Sequence, residues 1–233
     1  MFIKKFFGVI LLLAMITLSQ NVSAEKTDWA DRNYYFRNIR TVIVFDVTAN
    51  YGANYGGSIE YRNFQDTFID NARRLKCNVI TEREAYRSLG YQLGMNLESI
   101  AYSNPTQARQ IVMQNAYKIA DAWVTANVDN LENTYYIEPE RTVWEQKKET
   151  RTRYDRYGNR HEETYYIQVP VTYPPRRVDV TSIEMTLKAY DARSGAEVFG
   201  RRDVRDRKDY QAQKGMFGRI TKDFFEDLGK KIR

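Results

Sequence analysis

Residues 41–47 constrain the fold more than any other part of the sequence, because they form a near-continuous run of β-branched and aromatic side chains, Thr-Val-Ile-Val-Phe-Asp-Val. Such a run is typical of a strand that is covered on both faces. Apolar residues then recur at helical spacing from Tyr61 to Leu75, which predicts an amphipathic helix. The sequence therefore indicates strands that are packed by helices.

Capping signals place two further helices. Thr81 and Glu84 stand in the T-x-x-E relation of a capping box, which predicts a helix that stops near Gly90. Asn104-Pro105 combines an N-cap with a proline at the first helical position, and predicts the next helix. Period-2 alternation and helical spacing predict the other elements: strands over 77–80, 122–128 and 182–189, a strand from Val198, and a helix over 217–232.

The segment over 135–173 differs in composition from the rest of the chain. It is rich in Arg, Glu, Thr and Tyr, and its turn residues are confined to 155–159. We therefore predict two long strands that form a protruding β-hairpin, inserted at about 135–175. The predicted fold class is α/β (α+β), with a mixed, mostly antiparallel sheet packed by helices.

The N-terminus has the pattern of a secretory signal. Lys4 and Lys5 precede the apolar stretch 6–18, and Val22-Ser23-Ala24 is a small-residue cleavage site. An uncleaved anchor is the alternative, but the stretch is shorter than the roughly 20 residues that a membrane span needs. We predict a signal peptide over 1–24, with secretion across the inner membrane to the periplasm or the extracellular space.

The mature chain shows no repeat and no linker poor in apolar residues. We therefore predict a lead-in segment over 25–39 and a single α/β domain over 40–233 that contains the hairpin.

Composition excludes several classes of protein. The chain of 233 residues is 42% hydrophobic, so it has ample material for a core and is not intrinsically disordered. Cys77 is the only cysteine, so an intramolecular disulfide is excluded, and this thiol is either buried or free to form an intermolecular bridge. With only one histidine, His161, a His/Cys metal cluster is also excluded. No metal and no cofactor is predicted.

The charge balance is mildly basic. The net charge is +6, and loss of the two leader lysines leaves +4. This weakly favours anionic surfaces, such as phospholipid head groups or cell-wall polymers.

No group of residues predicts catalysis. His161 lies next to Glu162 and Glu163, but just past a predicted turn that does not exclude water. We therefore predict that the protein is not an enzyme.

The loop 50–57, Asn-Tyr-Gly-Ala-Asn-Tyr-Gly-Gly, is a weaker candidate, for ligand binding. It follows the first strand, where ligands of open α/β sheets bind, but it matches neither G-x-G-x-x-G nor a Walker A motif. A flexible loop without a ligand is the alternative. The candidate ligand residues are Asn50, Tyr51, Asn54 and Tyr55.

The hairpin is the predicted surface for a partner protein. Tyr, Trp and Arg dominate interface energetics, and the hairpin carries them in an alternating charged pattern. Acids nearly match bases there, so nucleic acid is not expected. The outgoing strand has no apolar face, so a membrane-spanning hairpin is not expected either. A hairpin that merely extends the sheet is the alternative. The candidate contact residues are Trp144, Arg151, Arg153, Tyr154 and Tyr157.

The order of these motifs resembles the curli-secretion-channel-like family of bacterial envelope proteins, with its relatives the amino-terminal domain of TolB and the outer-membrane activators of penicillin-binding proteins. The matching segments are the opening strand 40–47, the first helix 64–75, the strand-to-helix passage 78–84, the passage 116–128 and the closing strand pair 178–205 with its turn at 191–195.

The chain also departs from that family pattern. Ala120-Asp121-Ala122 replaces Gly-Ala-Asp, Asn127 stands where glycine is common, and no lipid-attachment cysteine is present. The hairpin lies where channel members carry membrane-inserting segments, yet it lacks their apolar face. The resemblance implies the fold and a non-catalytic role in the envelope.

Together these features predict an exported, non-enzymatic interaction module, accessory to envelope assembly, secretion or wall synthesis. Its partner is expected to be an envelope protein, and peripheral contact with the membrane or cell wall and self-association are left open. Two alternatives are kept. One is an oligomeric pore or secretion-channel component, and the other is a small-ligand-binding protein or hydrolase that uses the 50–57 loop.

Overall fold

The computed structural model describes residues 24–50, 58–208 and 213–232. These residues form two compact units. Unit 1 contains the described residues up to Asn133 and from Thr181 onward, and unit 2 contains Thr134–Val180. The expected hairpin insertion falls within unit 2. The predicted signal peptide lies outside the described residues, apart from Ala24.

The elements alternate between strands and helices along the chain. The strands are β1 Ala24–Ala30, β2 Thr41–Val44, β3 Thr48–Ala49, β4 Asn78–Thr81, β5 Ala122–Glu138, β6 Arg141–Tyr154, β7 Arg160–Tyr173, β8 Arg176–Asp191 and β9 Glu197–Lys208. The helices are α1 Ser58–Ala72, α2 Glu82–Leu93, α3 Leu97–Ser103, α4 Pro105–Asn115 and α5 Gln213–Ile232. Short 3-10 turns occupy Phe36–Asn38 and Ala116–Lys118.

In the described part of the chain the main sheet has seven strands, in the order β1-β9-β8-β5-β2-β4, with β3 beside β5. β1 pairs with β9 antiparallel, whereas β2 is parallel to both β4 and β5. β6 and β7 pair with each other in a separate two-stranded sheet. The prediction of a mixed α+β fold with a mostly antiparallel sheet and a long hairpin is confirmed.

Successive side chains of residues 42–45 point to opposite faces of the sheet, and both faces are covered. Val42 and Val44 belong to a core with α1 and α5, whereas Ile43 and Phe45 belong to a second core with α2 and α4. None of the four is more than 1% exposed. Each such side chain contributes roughly 1.5–3 kcal/mol when fully buried, so this short stretch anchors both helical layers.

The first part of the predicted lead-in segment, residues 25–30, forms the edge strand β1 together with Ala24. The strand lacks apolar alternation, and its Asp28 lies directly opposite Arg201 of β9. Pairing with β9 and this charged contact hold the segment in the sheet, and neither is visible in local sequence.

Side chains end β2 earlier than the apolar run predicts. The backbone nitrogen of Asp46 donates to Glu82 Oε2, and that of Val47 donates to Gln65 Oε1, each at 2.7 Å. The backbone nitrogen of Phe45 still donates to the carbonyl oxygen of Val124 of β5 at 3.0 Å, so side chains replace strand pairing from Asp46 onward.

Two other boundaries differ from the sequence expectation. β5 runs on to Glu138, well beyond residue 128. Helix α3 was not expected, and it begins after Asn96, whose side chain accepts a hydrogen bond from the backbone nitrogen of Ser99 at 3.0 Å. Asn96 is thus an N-cap that the sequence analysis overlooked.

The chain leaves unit 1 within β5 and returns to it within β8. These two strands are neighbours in the main sheet, and Thr181 Oγ1 donates to Asn133 Oδ1 at 2.8 Å. The last residue before unit 2 and the first residue after it are therefore in contact. Within the described ranges, no helix is long and apolar enough to cross a membrane.

Candidate functional site

The hairpin of unit 2 is built from two strands of 14 residues each. They are antiparallel and in continuous register, from Arg141 opposite Tyr173 to Tyr154 opposite Arg160. Cross-strand pairing along the whole length fixes which side chains share a face, because directly opposed residues lie on the same side.

The turn at the end of the hairpin is organised by Asp155. Its Oδ1 accepts hydrogen bonds from the backbone nitrogens of Tyr157 at 2.8 Å and Asn159 at 2.9 Å. Hydrogen bonds from Asn159, His161 and Tyr157 lower the pKa of Asp155 to about 2. Gly158 has φ +84°, a conformation that only glycine adopts without strain. The turn residues thus lie where the composition placed them, at 155–159.

The predicted contact residues do not share one face. Trp144 and Tyr154 lie on one face of the hairpin, whereas Arg151 and Arg153 lie on the other, and Tyr157 belongs to the turn. Odd and even positions in the sequence already separate these residues into two sets. Only the register of β6 and β7 shows which side chains of β7 share a face with each set.

Each face has its own chemistry. Trp144 and Tyr154 share their face with Tyr166, which is opposite Lys148. On the arginine face, Val143 is opposite Val171, and half-buried apolar side chains continue along β7. The half-buried apolar residues of β7 are Ile167, Val169 and Val171.

The candidate side chains are accessible. Trp144 is 66% exposed, Tyr154 65% and Tyr157 75%. Arg151 and Arg153 are exposed, and neither forms an ion pair with an acid in the described residues. Exposed aromatic and unpaired basic side chains are therefore concentrated on the hairpin, the combination that protein interfaces use.

His161 takes part in the turn. Its Nε2 lies 3.3 Å from Asp155 Oδ2, and its side chain is 63% exposed. Its position is that of an exposed strand residue which supports the turn.

A second group of polar residues lies in unit 1, at the carboxyl ends of the parallel strands β2 and β4. Asp46 follows β2, and Glu82 begins α2 directly after β4. Arg109 of α4 reaches Glu82 with Nε at 2.9 Å and with Nη2 at 2.5 Å. Since Glu82 is only 4% exposed, this bidentate ion pair is largely shielded from water.

Further hydrogen bonds fix these two carboxylates. Gln65 Nε2 donates to Asp46 Oδ1 at 2.6 Å, and the Tyr86 hydroxyl donates to Glu82 Oε1. Burial, together with the negative charge of Glu82, raises the pKa of Asp46 from 3.8 to about 6. We call the five residues Asp46, Gln65, Glu82, Tyr86 and Arg109 the carboxylate cluster.

No member of the carboxylate cluster is among the site residues predicted from the sequence. Glu82 is 36 residues from Asp46 and 27 residues from Arg109 along the chain. One signal was available, because Asp46 lies near the end of the predicted strand 41–47 and Glu82 lies just after the predicted strand 77–80. If those strands are parallel neighbours, their carboxyl ends meet at one sheet edge.

The predicted ligand loop begins at this same edge. Asn50 Oδ1 accepts a hydrogen bond from Asn127 Nδ2 at 2.9 Å, and Asn50 Nδ2 donates to Asp129 Oδ1 at 3.3 Å. Asn50 is therefore tied to β5. The other predicted residues of this loop lie outside the described residues: Tyr51, Asn54 and Tyr55.

Cys77 is half-buried and packs against the core of unit 1. Burial raises the pKa of its thiol to about 11, so little thiolate forms at neutral pH. In residues 24–50, 58–208 and 213–232, no group of three or more His, Cys, Asp or Glu side chains is arranged to hold a metal ion.

No protein-family model matches the chain, and no curated protein matches it. Several solved structures superpose in part on this chain, at low sequence identity. The PelC dodecamer from Paraburkholderia phytofirmans has a TM-score of 0.45 at 9% identity, over 89% of this chain and 98% of that chain. Lipoprotein GNA1162 from Neisseria meningitidis has a TM-score of 0.38 at 12% identity, over 82% of this chain and 99% of that chain.

A PDZ domain protein from Parabacteroides distasonis has a TM-score of 0.31 at 8% identity, over 93% of this chain and 38% of that chain. The resemblance to the curli-secretion-channel-like family stays a prediction.

Proposed function

We propose that the protein is an exported, non-enzymatic interaction module of the cell envelope, and that it binds a protein partner through the β6–β7 hairpin. Export is supported by the leader pattern of residues 1–24. A role in binding is supported by the side chains that the hairpin presents.

The observation that carries the proposal is the exposure of Trp144, Tyr154 and Tyr157 on the same hairpin as Arg151 and Arg153. Large aromatic side chains that cluster in water usually mark an interaction site. Trp, Tyr and Arg are also the residue types whose truncation costs most at protein interfaces. The near balance of acids and bases along the hairpin favours a protein over a polyanion.

The test is a triple variant, Arg151→Ala, Arg153→Ala and Tyr154→Ala, compared with the wild-type chain by crosslinking in the native envelope. We expect the crosslinked partner to be lost, with an affinity reduced on the order of a hundredfold. The isolated variant should keep the wild-type circular dichroism spectrum, because none of the three side chains is buried.

A matched control removes two exposed arginines and an exposed tyrosine from unit 1, as Arg74→Ala, Arg219→Ala and Tyr91→Ala. This control should retain the partner. If the hairpin variant captures the same partner as the control and the wild type, the hairpin is not the binding surface.

Self-association through the hairpin is a second candidate function. In the described residues β6 and β7 pair only with each other, so each has one unpaired edge over 14 residues. Unpaired edges are templates for a further strand. Sedimentation with and without detergent tests it. A concentration-dependent oligomer that Gln168→Pro abolishes supports edge pairing, because Gln168 has the same parity as Pro170 and its backbone N–H faces the unpaired edge of β7. A monomer throughout refutes it.

A further inference from the structure

A polar cavity of about 380 Å³ lies in unit 1, at the sheet edge opposite the carboxylate cluster. Here β2 and β5 begin and β8 ends. Three stretches of chain line the cavity: residues 33–38, residues 117–121 and residues 191–193. Its size falls within the range of small-molecule binding sites.

Hydrogen bonds between distant segments hold one wall of the cavity. The Tyr34 hydroxyl donates to Asp191 Oδ1 at 3.1 Å, although the two residues are 157 positions apart. Asp191 Oδ2 accepts from the backbone nitrogen of Ser194 at 2.7 Å, which fixes the turn after β8. This wall is therefore formed before any ligand arrives.

The opposite wall is held by Asp121. Its Oδ2 accepts from the backbone nitrogens of Arg40 at 2.8 Å and Thr41 at 3.0 Å. The backbone nitrogen of Ala192 donates to the carbonyl oxygen of Asp121 at 2.8 Å. These bonds leave Asp121 Oδ1 without a partner in the described residues.

Other polar groups of the lining are likewise unused. The side-chain amides of Asn33 and Asn38 and the guanidinium of Arg193 form no hydrogen bond or ion pair with the described part of the chain. The cavity thus offers both donors and acceptors, which suits a ligand that carries several hydroxyl groups.

Two aromatic rings complete the lining. Tyr35 is 79% exposed and Tyr117 is 51% exposed, so both rings are accessible at the cavity. Lys118 Nζ lies 6.0 Å from the centroid of the Tyr117 ring, over one of its faces. The free face of a tyrosine ring can stack on the C–H face of a sugar, while the phenolic hydroxyl stays in water.

The lining carries two acids, Asp121 and Asp191, and one base, Arg193. The excess of acid disfavours an anionic ligand such as a phosphate or an acidic sugar. The guanidinium of Arg193 in the same lining disfavours a small isolated cation.

We infer that this cavity binds a neutral saccharide. Tyr35 and Tyr117 stack on the sugar ring. The amides of the 33–38 segment, Asp121 Oδ1 and the Arg193 guanidinium hydrogen-bond its hydroxyl groups. This site is separate from the hairpin and does not depend on the function proposed above.

The test uses the full mature chain with two neutral oligosaccharides, chitotetraose and cellotetraose, and one acidic oligosaccharide, tetragalacturonate. Saturation-transfer NMR reports contact with the sugar ring protons, and calorimetry gives the affinity. We expect at least one neutral oligosaccharide to bind, and the double variant Tyr35→Ala and Tyr117→Ala to weaken it by about tenfold or more.

Two further variants keep the result interpretable. Arg193→Ala, at an exposed side chain that has no partner among the described residues, should weaken binding without affecting folding. Tyr91→Ala with Tyr102→Ala, at tyrosines that are 92% and 94% exposed elsewhere in unit 1, should leave binding unchanged. Failure of both neutral oligosaccharides to bind, binding of tetragalacturonate alone, or wild-type affinity in the Tyr35→Ala and Tyr117→Ala variant would each overturn the inference.

Discussion

Asp28 and Arg201 lie directly opposite each other on β1 and β9, and Arg201 Nε donates to Asp28 Oδ1 at 2.6 Å. The Arg201 side chain is completely buried, and its Nη2 also donates to Asp227 of α5 at 2.6 Å. One guanidinium therefore joins the edge strand, its neighbour and the last helix. Its Nη1 is buried without a partner in the described residues, which adds to the cost of burying the charge.

Removal of this guanidinium should destabilise the fold strongly. We expect Arg201→Ala to lower the free energy of unfolding by about 2–3 kcal/mol, because a large buried side chain is lost and its space is left empty. Lys26 still pairs with both acids, and Lys230 with Asp227, so neither carboxylate is left without a cation.

Arg202→Ala is the matched control, since Arg202 is 53% exposed on the same strand and pairs with Glu184. It should cost no more than about 1 kcal/mol. Urea denaturation followed by circular dichroism measures the free energy of unfolding of both variants. Equal losses would show that the buried Arg201 stabilises the fold no more than an exposed arginine does.

Asp46 should make stability depend on pH. Its pKa is raised from 3.8 to about 6 in the folded chain, so the folded state binds the proton more tightly than the unfolded state. The free energy of unfolding should therefore fall as pH rises from about 4 to about 6.

Asp46→Asn removes this titration and keeps an oxygen acceptor for Gln65. We expect a gain of about 1–2 kcal/mol above pH 7, discounted for partial exposure, and none near pH 3.5. Asp70→Asn, at an exposed position of α1, is the control. Denaturation curves at several pH values measure this gain. A gain that does not vary with pH would contradict a raised pKa of Asp46 in the folded chain.

Glu82 and Arg109 should behave as a coupled pair. Arg109→Met leaves the Glu82 carboxylate buried without its cation, and we expect it to cost about 3–5 kcal/mol. Glu82→Gln combined with Arg109→Met should cost less than the sum of the single changes, with a coupling of about 1–3 kcal/mol. A double-mutant cycle in urea measures this coupling. Additive losses would mean that the two side chains act independently.

Gly158 should be required for the order of the hairpin turn. Gly158→Ala places a Cβ at φ +84°, which costs about 1–2 kcal/mol. Hydrogen exchange at the amides of β6 and β7 next to the turn should accelerate correspondingly, since a strained turn lowers the free energy of local opening. Gly215→Ala, in helix α5 with open space around the new Cβ, is the control and should be neutral or stabilising. Unchanged exchange in Gly158→Ala would argue against the turn geometry.

The sequence predicted the helices and strands that depend on interactions between residues close together along the chain. The capping box at Thr81 and Glu84 is present, and Asn104 caps the helix that begins at Pro105. The run over 41–47 correctly indicated a strand between two layers, because alternate side chains of such a strand need cover on both faces.

Features that depend on distant partners could not be predicted in this way. β1 is a charged strand whose stability comes from β9, more than 170 residues away, so its own sequence carries no strand signal. The carboxylate cluster exists because β2 and β4 are parallel neighbours, and pairing order is not encoded locally. The cavity is equally non-local, since Tyr34 and Asp191 meet only in the folded sheet.

The hydrogen bond between Asn133 and Thr181 holds together the two points of the chain between which unit 2 is inserted. Unit 2 departs from and returns to adjacent positions on two neighbouring strands. The ends of β5 and β8 lie within unit 2, and Val178 of β8 is only 1% exposed. Residues 139–175, which connect these two strands, are therefore the part that can change in length while the contact between Asn133 and Thr181 is kept. We expect insertions and deletions between related chains to concentrate in this connection.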